Sequence, residues 1–298
     1  MVRVSVPATS ANLGPGFDSL GLALSLRDEL EAEVTGSGLV VEVTGEGAGV
    51  VALDESHLVV RAMRAAFEAM AVAPPGLRLV CRNVIPHARG LGSSSAAIVG
   101  GLVLARALVS EGEHWSDDAV LGLAARLEGH PDNVAPALLG GFTISGMDDD
   151  GSAYAVRSAV DPGIRAEAFV PPDPVSTELA RGLLPSTVPH ADAAADAGRA
   201  ALLVAALAGR SDQLWRATRD YLHQDYRRAA MPASLRLVDE LRADGIAAVV
   251  SGSGPTVLAL VEDGVDLADR CPEAWAHHRL AADSEGARVH PGDTLTPR

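Results

Sequence analysis

The chain contains no lysine; all 24 of its basic side chains are arginine. That absence excludes every chemistry that needs a lysine amine: the Gly-Lys-Ser/Thr ending of a Walker A loop, the strand lysine of protein kinases, and Schiff-base or pyridoxal-phosphate attachment. Cysteine is nearly absent as well. Cys81 and Cys271 are the only two, which leaves no disulfide framework and no cysteine metal site and suits a reducing compartment. No apolar run is long enough to span a bilayer, and the N-terminus opens directly on a strand pattern rather than a signal peptide. We therefore expect a cytoplasmic protein with no membrane partner. Positive charge is scarce against negative: the net charge is −15 and the arginines form no run, so a nucleic-acid partner is not expected.

What is present is a large apolar content, 48% of 298 residues, enough for a sizeable core and for two packed domains rather than one. Strand patterns occupy Arg3 to Val6, Leu26 to Val34, Val40 to Val43 and Leu77 to Val84. Helical spacing runs from Ser56 to Ala71, from Ala97 to Val109, and from Asp117 to Glu128 behind a Ser116 cap. The stretch from 146 to 153 interrupts the apolar pattern, and its Asp148-Asp149-Asp150 reads as a solvated turn, so we place the domain boundary there, giving 1–150 and 151–298. Beyond it, strands are expected at Ala153 to Ala159 and Arg165 to Val170, then helices at Thr177 to Leu184, His190 to Ala208, Ser211 to Leu222 and Pro232 to Ala243. A strand pair, Ile246 to Val250 and Thr256 to Val261, follows. Strands and helices mixed without regular βαβ alternation point to an α+β fold.

Four segments concentrate chemistry. Pro86-His87-Ala88-Arg89-Gly90-Leu91-Gly92-Ser93-Ser94-Ser95-Ala96 opens onto an apolar helix; glycines allow close approach, and the first helical turn offers free N–H groups and a favourable dipole to an anion such as phosphate. Residues 7 to 21 set Asn12 and Asp18 among glycines after a strand. Glu128-Gly129-His130-Pro131-Asp132-Asn133 gathers a carboxylate, an imidazole and an amide at a helix end, and Ser251-Gly252-Ser253-Gly254-Pro255-Thr256 joins two apolar strands. Taken singly, each has a structural explanation: a capped helix, an Asx turn, a helix C-terminus followed by a fresh cap at Asp132, and a tight hairpin.

Taken together and in this order, the first, second and last of these along the chain resemble the three motifs of the GHMP kinases, which phosphorylate small molecules such as galactose, homoserine and mevalonate. Glu128 to Ala137 followed by Gly140-Gly141-Phe142, and Ser176 to Arg181 followed by Leu184-Pro185, are similar to the homoserine kinase branch. The resemblance implies an N-terminal domain like ribosomal protein S5 domain 2, a ferredoxin-like C-terminal domain, and a site between them. It implies Mg2+ and ATP, with the γ-phosphoryl moving to the side-chain hydroxyl of L-homoserine to give O-phospho-L-homoserine for threonine synthesis; a homodimer is compatible with it. ATP falls to residues 86 to 96, with Gly254 in the third motif. Homoserine falls to Asn12, Asp18, His130, Asn133, Thr177, Arg181 and Arg227, the arginines suiting its carboxylate because a guanidinium binds bidentately.

Asn133, Ser95 and Glu128 take the catalytic positions. In the mevalonate and galactose branches the place of Asn133 holds an aspartate that acts as base; an amide cannot take a proton, and phosphoryl transfer tolerates this because its loose transition state needs position and charge neutralisation above all. Some members of the homoserine branch carry a magnesium-binding glutamate about two helical turns before the His-x-x-Asn. Here that region holds Gly122, and Glu128 with Ser95 are the candidate metal ligands. A non-catalytic relative should show a damaged phosphate loop or lost pocket residues, and neither is visible. With no lysine, the triphosphate charge falls to backbone amides, a divalent metal and arginine.

Overall fold

The computed structural model describes residues 1–291. Two sheets form its frame, as expected of an α+β chain. The first is built from β1 (Val2–Asn12), β2 (Gly16–Thr35), β3 (Gly38–Gly45), β4 (Gly76–Asn83), β5 (Phe142–Met147), β6 (Ala153–Ser158) and β11 (Arg288–Pro291). Its path is β11-β1-β2-β4-β3, with β5 and then β6 branching from β2. The branch is possible because β2 is 20 residues long: Leu20 to Leu22 pair with β5, and Glu29 to Thr35 with β4. Among the described residues only β3 and β4 run parallel, connected by α1 (Leu58–Ala69).

The expected first strand stops at Pro7, yet β1 continues to Asn12. The register shifts between Pro7 and Ala8, a bulge at which a residue without an N–H fits the ladder. This extension carries Thr9, Ser10 and Asn12 into the interior, where all three are buried. Against the sheet lie α1, α2 (Ser93–Leu108), α3 (Asp117–Glu128) and α4 (Val134–Leu139), with Leu30, Met63, Phe67, Leu79, Ile98 and Leu102 at the centre of the core. The expected α2 begins at Ala97; the three serines before it instead form its first turn.

The second sheet contains β7 (Ile164–Val170), β8 (Ala247–Val250), β9 (Val257–Glu262) and β10 (Ala276–Ala281), in the order β10-β7-β9-β8. All neighbours are antiparallel; numbered along the chain the order is 4-1-3-2, that of a ferredoxin-like sheet. Between β7 and β8 come α5 (Thr177–Gly182), α6 (His190–Leu207), α7 (Leu214–Ala217) and α8 (Pro232–Ala243). A second core cluster joins Leu235, Val238 and Leu241 of α8 to Phe169, Val250 and Val257. The two sheets do not divide at one chain position. β6 and β11, both beyond residue 150, belong to the first, and residues 292–298 of the expected second domain lie outside the described residues.

One buried carboxylate sets the route into the Ser-rich loop. Asp28 on the inner face of β2 is 5% exposed, and its Oδ1 accepts from the N–H groups of Val84 (2.7 Å) and Ile85 (2.9 Å), fixing the chain as it leaves β4. Burial raises its pKa to about 6 against the lowering effect of those two bonds, and Glu46 adds to the rise. An acid whose folded pKa lies above its unfolded value keeps more protons when folded, so stability falls as pH rises between about 4 and 6. Asp28→Asn keeps an oxygen acceptor and removes the titration. Its stability relative to the parent should increase through that window by roughly 2–3 kcal/mol, measured by urea melts from pH 4 to 7; a pH-independent difference would contradict this account.

Candidate active site

The three motif segments meet where β1, α2 and the β8–β9 connection converge. Thr9 N–H donates to the Leu91 carbonyl (3.0 Å), Gly252 N–H to Ala11 (3.0 Å) and Thr256 N–H to Arg89 (3.1 Å). The Ser251 hydroxyl donates to the Gly90 carbonyl at 2.6 Å and lies 2.8 Å from the Ser10 hydroxyl. Asn12 spans the same junction: Nδ2 donates to the Gly252 carbonyl (2.8 Å) and Oδ1 accepts from Asp18 N–H (3.0 Å). The segment from 251 to 256 does connect two paired strands, so the hairpin is real, and it also closes a cavity of about 100 Å³ between the sheets.

One wall of that cavity is the start of α2. Gly92 is its N-cap, with φ of 69° in the left-handed region, and no side chain caps the helix. A Cβ at Gly92 would lie 1.9 Å from the Thr9 hydroxyl, so the conformation and the space both demand glycine. Ser93, Ser94 and Ser95 line the cavity, as do Ala88, Arg89 and Gly90. The remaining residues expected at ATP are placed otherwise. His87 and Ala96 line an adjoining cavity of about 370 Å³, Leu91 is buried in the core, and Pro86 and Gly254 line neither cavity. Arg89 is already committed, donating to the carbonyls of His87 (2.9 Å), Pro171 (3.0 Å) and Pro172.

Glu128 ends α3 directly opposite the serines. Its two oxygens accept from Ser94 Oγ (2.9 Å) and Ser95 Oγ (2.8 Å). This all-oxygen set on an acidic side chain is the donor chemistry of Mg2+, and it lies at the helix end, six residues after Gly122. A second cluster, Asp18, His130 and Asp132, has ligand atoms within 4.8 Å of one another, but Arg181 already occupies Asp18, and a guanidinium there opposes a cation.

The next wall explains the His-Pro-Asp-Asn run. Asp132 does not cap α4, whose N-cap is Asn133 without a side-chain bond. It is 1% exposed and its Oδ1 pairs with His130 Nδ1. Burial depresses the His130 pKa, but the bond to Asp132 and its charge outweigh this and the net shift is upward. Asn133 is oriented from β1: the Thr9 hydroxyl donates to its Oδ1 at 2.8 Å, leaving Nδ2 as the free donor.

The far wall holds the charges. Arg181 of α5 makes a bidentate pair with Asp18, Nη2 to Oδ1 at 2.6 Å and Nη1 to Oδ2 at 3.1 Å, and lies 5.4 Å from the Phe17 ring centroid. Thr177, one turn earlier, is 3.1 Å from Ser253, hydroxyl to hydroxyl. Arg227 lines the cavity from behind. It is no surface charge: it is 1% exposed, donates to the Ala180 (3.3 Å) and Gly252 (3.1 Å) carbonyls, and meets His223 Nδ1 at 3.0 Å. Burial, with Arg181 nearby, lowers its pKa to about 10. His223, held by the Gly14 carbonyl at 2.8 Å and lowered in pKa by burial, stays neutral and accepts from Arg227.

The helix expected over Ser211 to Leu222 is a correction. A 3-10 turn at Ser211–Gln213 and the single turn of α7 are all that form, because Asp220 turns back to accept from the N–H groups of Leu222 (2.9 Å), His223 (3.1 Å) and Gln224 (2.7 Å). That reversal is what delivers His223 and Arg227 to the site. Sequence reasoning did not single out Thr9, Phe17, Ser253 or the His130 partnership of Asp132. The first three lie inside recognised motifs, and a buried acid two residues from a histidine was a usable signal.

Comparison with known proteins gives matches over nearly the whole chain. The family description GHMP kinases N terminal domain covers residues 57–141, and GHMP kinases C terminal covers residues 194–277. The chain is 56% identical over 295 residues to a homoserine kinase of Streptomyces coelicolor, covering 97% of this chain and 94% of that protein. It is 55% identical to that of Streptomyces avermitilis, covering 97% and 96%. The crystal structure of homoserine kinase from Cytophaga hutchinsonii superposes with a TM-score of 0.83 at 26% identity, covering 97% of each chain.

The steric relation of Gly92 to Thr9 is open to test by stability alone. Gly92→Ala should cost about 2 kcal/mol, from strain at positive φ and the collision with Thr9. Adding Thr9→Ala should recover part of that loss relative to Thr9→Ala alone. Additive losses in denaturant melts would show that the two do not touch.

Proposed function

This chain belongs to the GHMP kinase family, and from that premise we propose that it transfers the γ-phosphoryl of ATP to the side-chain hydroxyl of L-homoserine, giving O-phospho-L-homoserine on the route to threonine. The observation that carries the acceptor is Arg181, which lines the same cavity as the phosphate loop and holds Asp18 in a bidentate pair. A carboxylate and a guanidinium held side by side match the ammonium and carboxylate of an amino acid. A sugar or mevalonate offers no such pair of charges. Homoserine would replace the direct pair, its carboxylate on Arg181 and its ammonium on Asp18, with Thr177 and Arg227 supporting the carboxylate end.

The nucleoside fits the adjoining cavity of about 370 Å³, which shares Ala88, Ser93 and Ser94 with the first. Its walls include Val51, Ala52, Leu58 and Ala97, and His57 is buried there with an Nδ1 that has no hydrogen-bond partner among the described residues. Burial keeps this imidazole neutral, free to bond a base or ribose. The phosphates then cross the start of α2, whose N–H groups and dipole receive negative charge.

Glu128 and Ser95 would hold Mg2+, which when bound neutralises charge on the β- and γ-phosphates. Asn133 aims the homoserine hydroxyl through Nδ2, since its Oδ1 is occupied by Thr9. A bond forms from that hydroxyl oxygen to the γ-phosphorus as the bond to the β–γ bridging oxygen breaks, and ADP leaves. The hydroxyl proton passes to an oxygen of the transferring phosphoryl group. His130, paired with Asp132, keeps a cationic tendency beside that group and is a poor base.

With Mg-ATP, ADP release should be far faster with L-homoserine than with L-serine, mevalonate or galactose; a preference for mevalonate or galactose would overturn the assignment. Arg181→Ala should lower kcat/KM for homoserine by roughly 30-fold or more, the usual loss for a desolvated charge-assisted pair. Lysine should restore only part, lacking the bidentate fork. KM for ATP should stay within about twofold; equal loss toward both substrates would move the clamp role to Arg227.

A further inference from the structure

Away from the cleft, four arginines converge on a separate cavity of about 480 Å³. Arg199 comes from α6, Arg216 from α7 beside Trp215, Arg219 from the turn that follows beside Tyr221, and Arg242 from α8. In a chain of net charge −15, so many like charges on one cavity repel unless something offsets them. Other surface arginines find carboxylates: Arg64 takes Glu55, Arg106 takes Asp117 and Arg228 takes Asp239. None of the four around this cavity has an ion-pair partner among the described residues. The one lining carboxylate is Asp239, already engaged by Arg228 at 2.8 Å.

Two of the four guanidinium groups are held by the protein itself. Arg242 donates to the Trp215 carbonyl (2.7 Å) and the Thr218 hydroxyl (2.9 Å), and lies 5.4 Å from the Trp215 ring centroid. Arg219 lies 5.6 Å from the Tyr221 centroid. Arg199 Nε is buried with no hydrogen-bond partner among the described residues, and the residue lines the cavity. Burial, and then Arg219, lower the Arg242 pKa to about 10, as expected where compensating negative charge is short. Donors fixed in advance of binding lower the ordering cost of a ligand, and guanidinium groups match phosphate oxygens in geometry as well as charge.

We propose that this cavity binds a polyvalent phosphate anion at a site separate from the phosphate loop. The test is calorimetric titration with sodium tripolyphosphate at low ionic strength, on the parent protein and on Arg216→Gln/Arg219→Gln, whose substituted positions are both exposed. The parent should show two binding events, one at each site. The variant should lose one, with that affinity weakened about 10-fold or more, while its kcat and KM for ATP stay within twofold and so report an intact fold and phosphate loop. Phenyl phosphate in a parallel titration separates the sources: binding of both compounds assigns the site to phosphorylated metabolites in general, and binding of tripolyphosphate alone to polyphosphates. A single event in the parent, or the same isotherm in parent and variant, would overturn the proposal.

Discussion

The ion pair between Asp18 and Arg181 is the contact around which the rest of the site is arranged. It joins the start of β2 to α5, and so the first sheet to the helices inserted between β7 and β8 of the second. Each side chain is 35% exposed, and an ion pair that open contributes little to stability. Its importance lies in placement. Asn12 holds the Asp18 backbone and the Gly252 carbonyl at once, while Phe17 lies beneath both Arg181 and the buried Arg227. With two guanidinium groups near one ring, Asp18 beside Arg181 and Asp220 near Arg227 offset their repulsion, and on the proposed function an amino-acid carboxylate would add to that offset.

The phosphate side is organised on a different principle. The chain has no lysine, and the nearest arginine, Arg89, is spent on three carbonyls that lock the loop to the segment after β7. What remains for a triphosphate is the uncapped start of α2 and the oxygens of Ser94, Ser95 and Glu128. On the proposed function a metal would be the main source of positive charge, and Glu128 the side chain that would localise it. Asn133 and Thr9 sit where the two halves meet, so the orientation of one amide depends on a strand, a loop and a helix end together.

Local patterns were legible in the sequence, and long-range placement was not. Helix α3 with its Ser116 cap, and α8 with proline at its first position, fall where capping chemistry and spacing put them. The motif segments, each explicable singly as a cap or turn, were recognisable because three of them together and in order resemble those of a known family. Hidden from local reading were the run of β1 past Pro7, which needs a bulge against Arg27, and β11, which exists only because Arg288 to Pro291 pair with the first residues of the chain. The segment from 211 to 222 has helical spacing but is diverted by Asp220, whose capping bonds outweigh continuation. Arg227 was placed at the site through the family resemblance, since its acceptors, the carbonyls of Ala180 and Gly252, are distant in sequence and its burial had no local signal.

The most direct test of the central claim is a crystal structure with L-homoserine and a non-hydrolysable ATP analogue bound together. The account predicts that the direct Asp18–Arg181 contact is replaced, with the homoserine carboxylate on Arg181, its ammonium on Asp18, and its hydroxyl beside Asn133 facing the γ-phosphate. A bound homoserine that leaves the Asp18–Arg181 pair intact and places its charged groups elsewhere would contradict it.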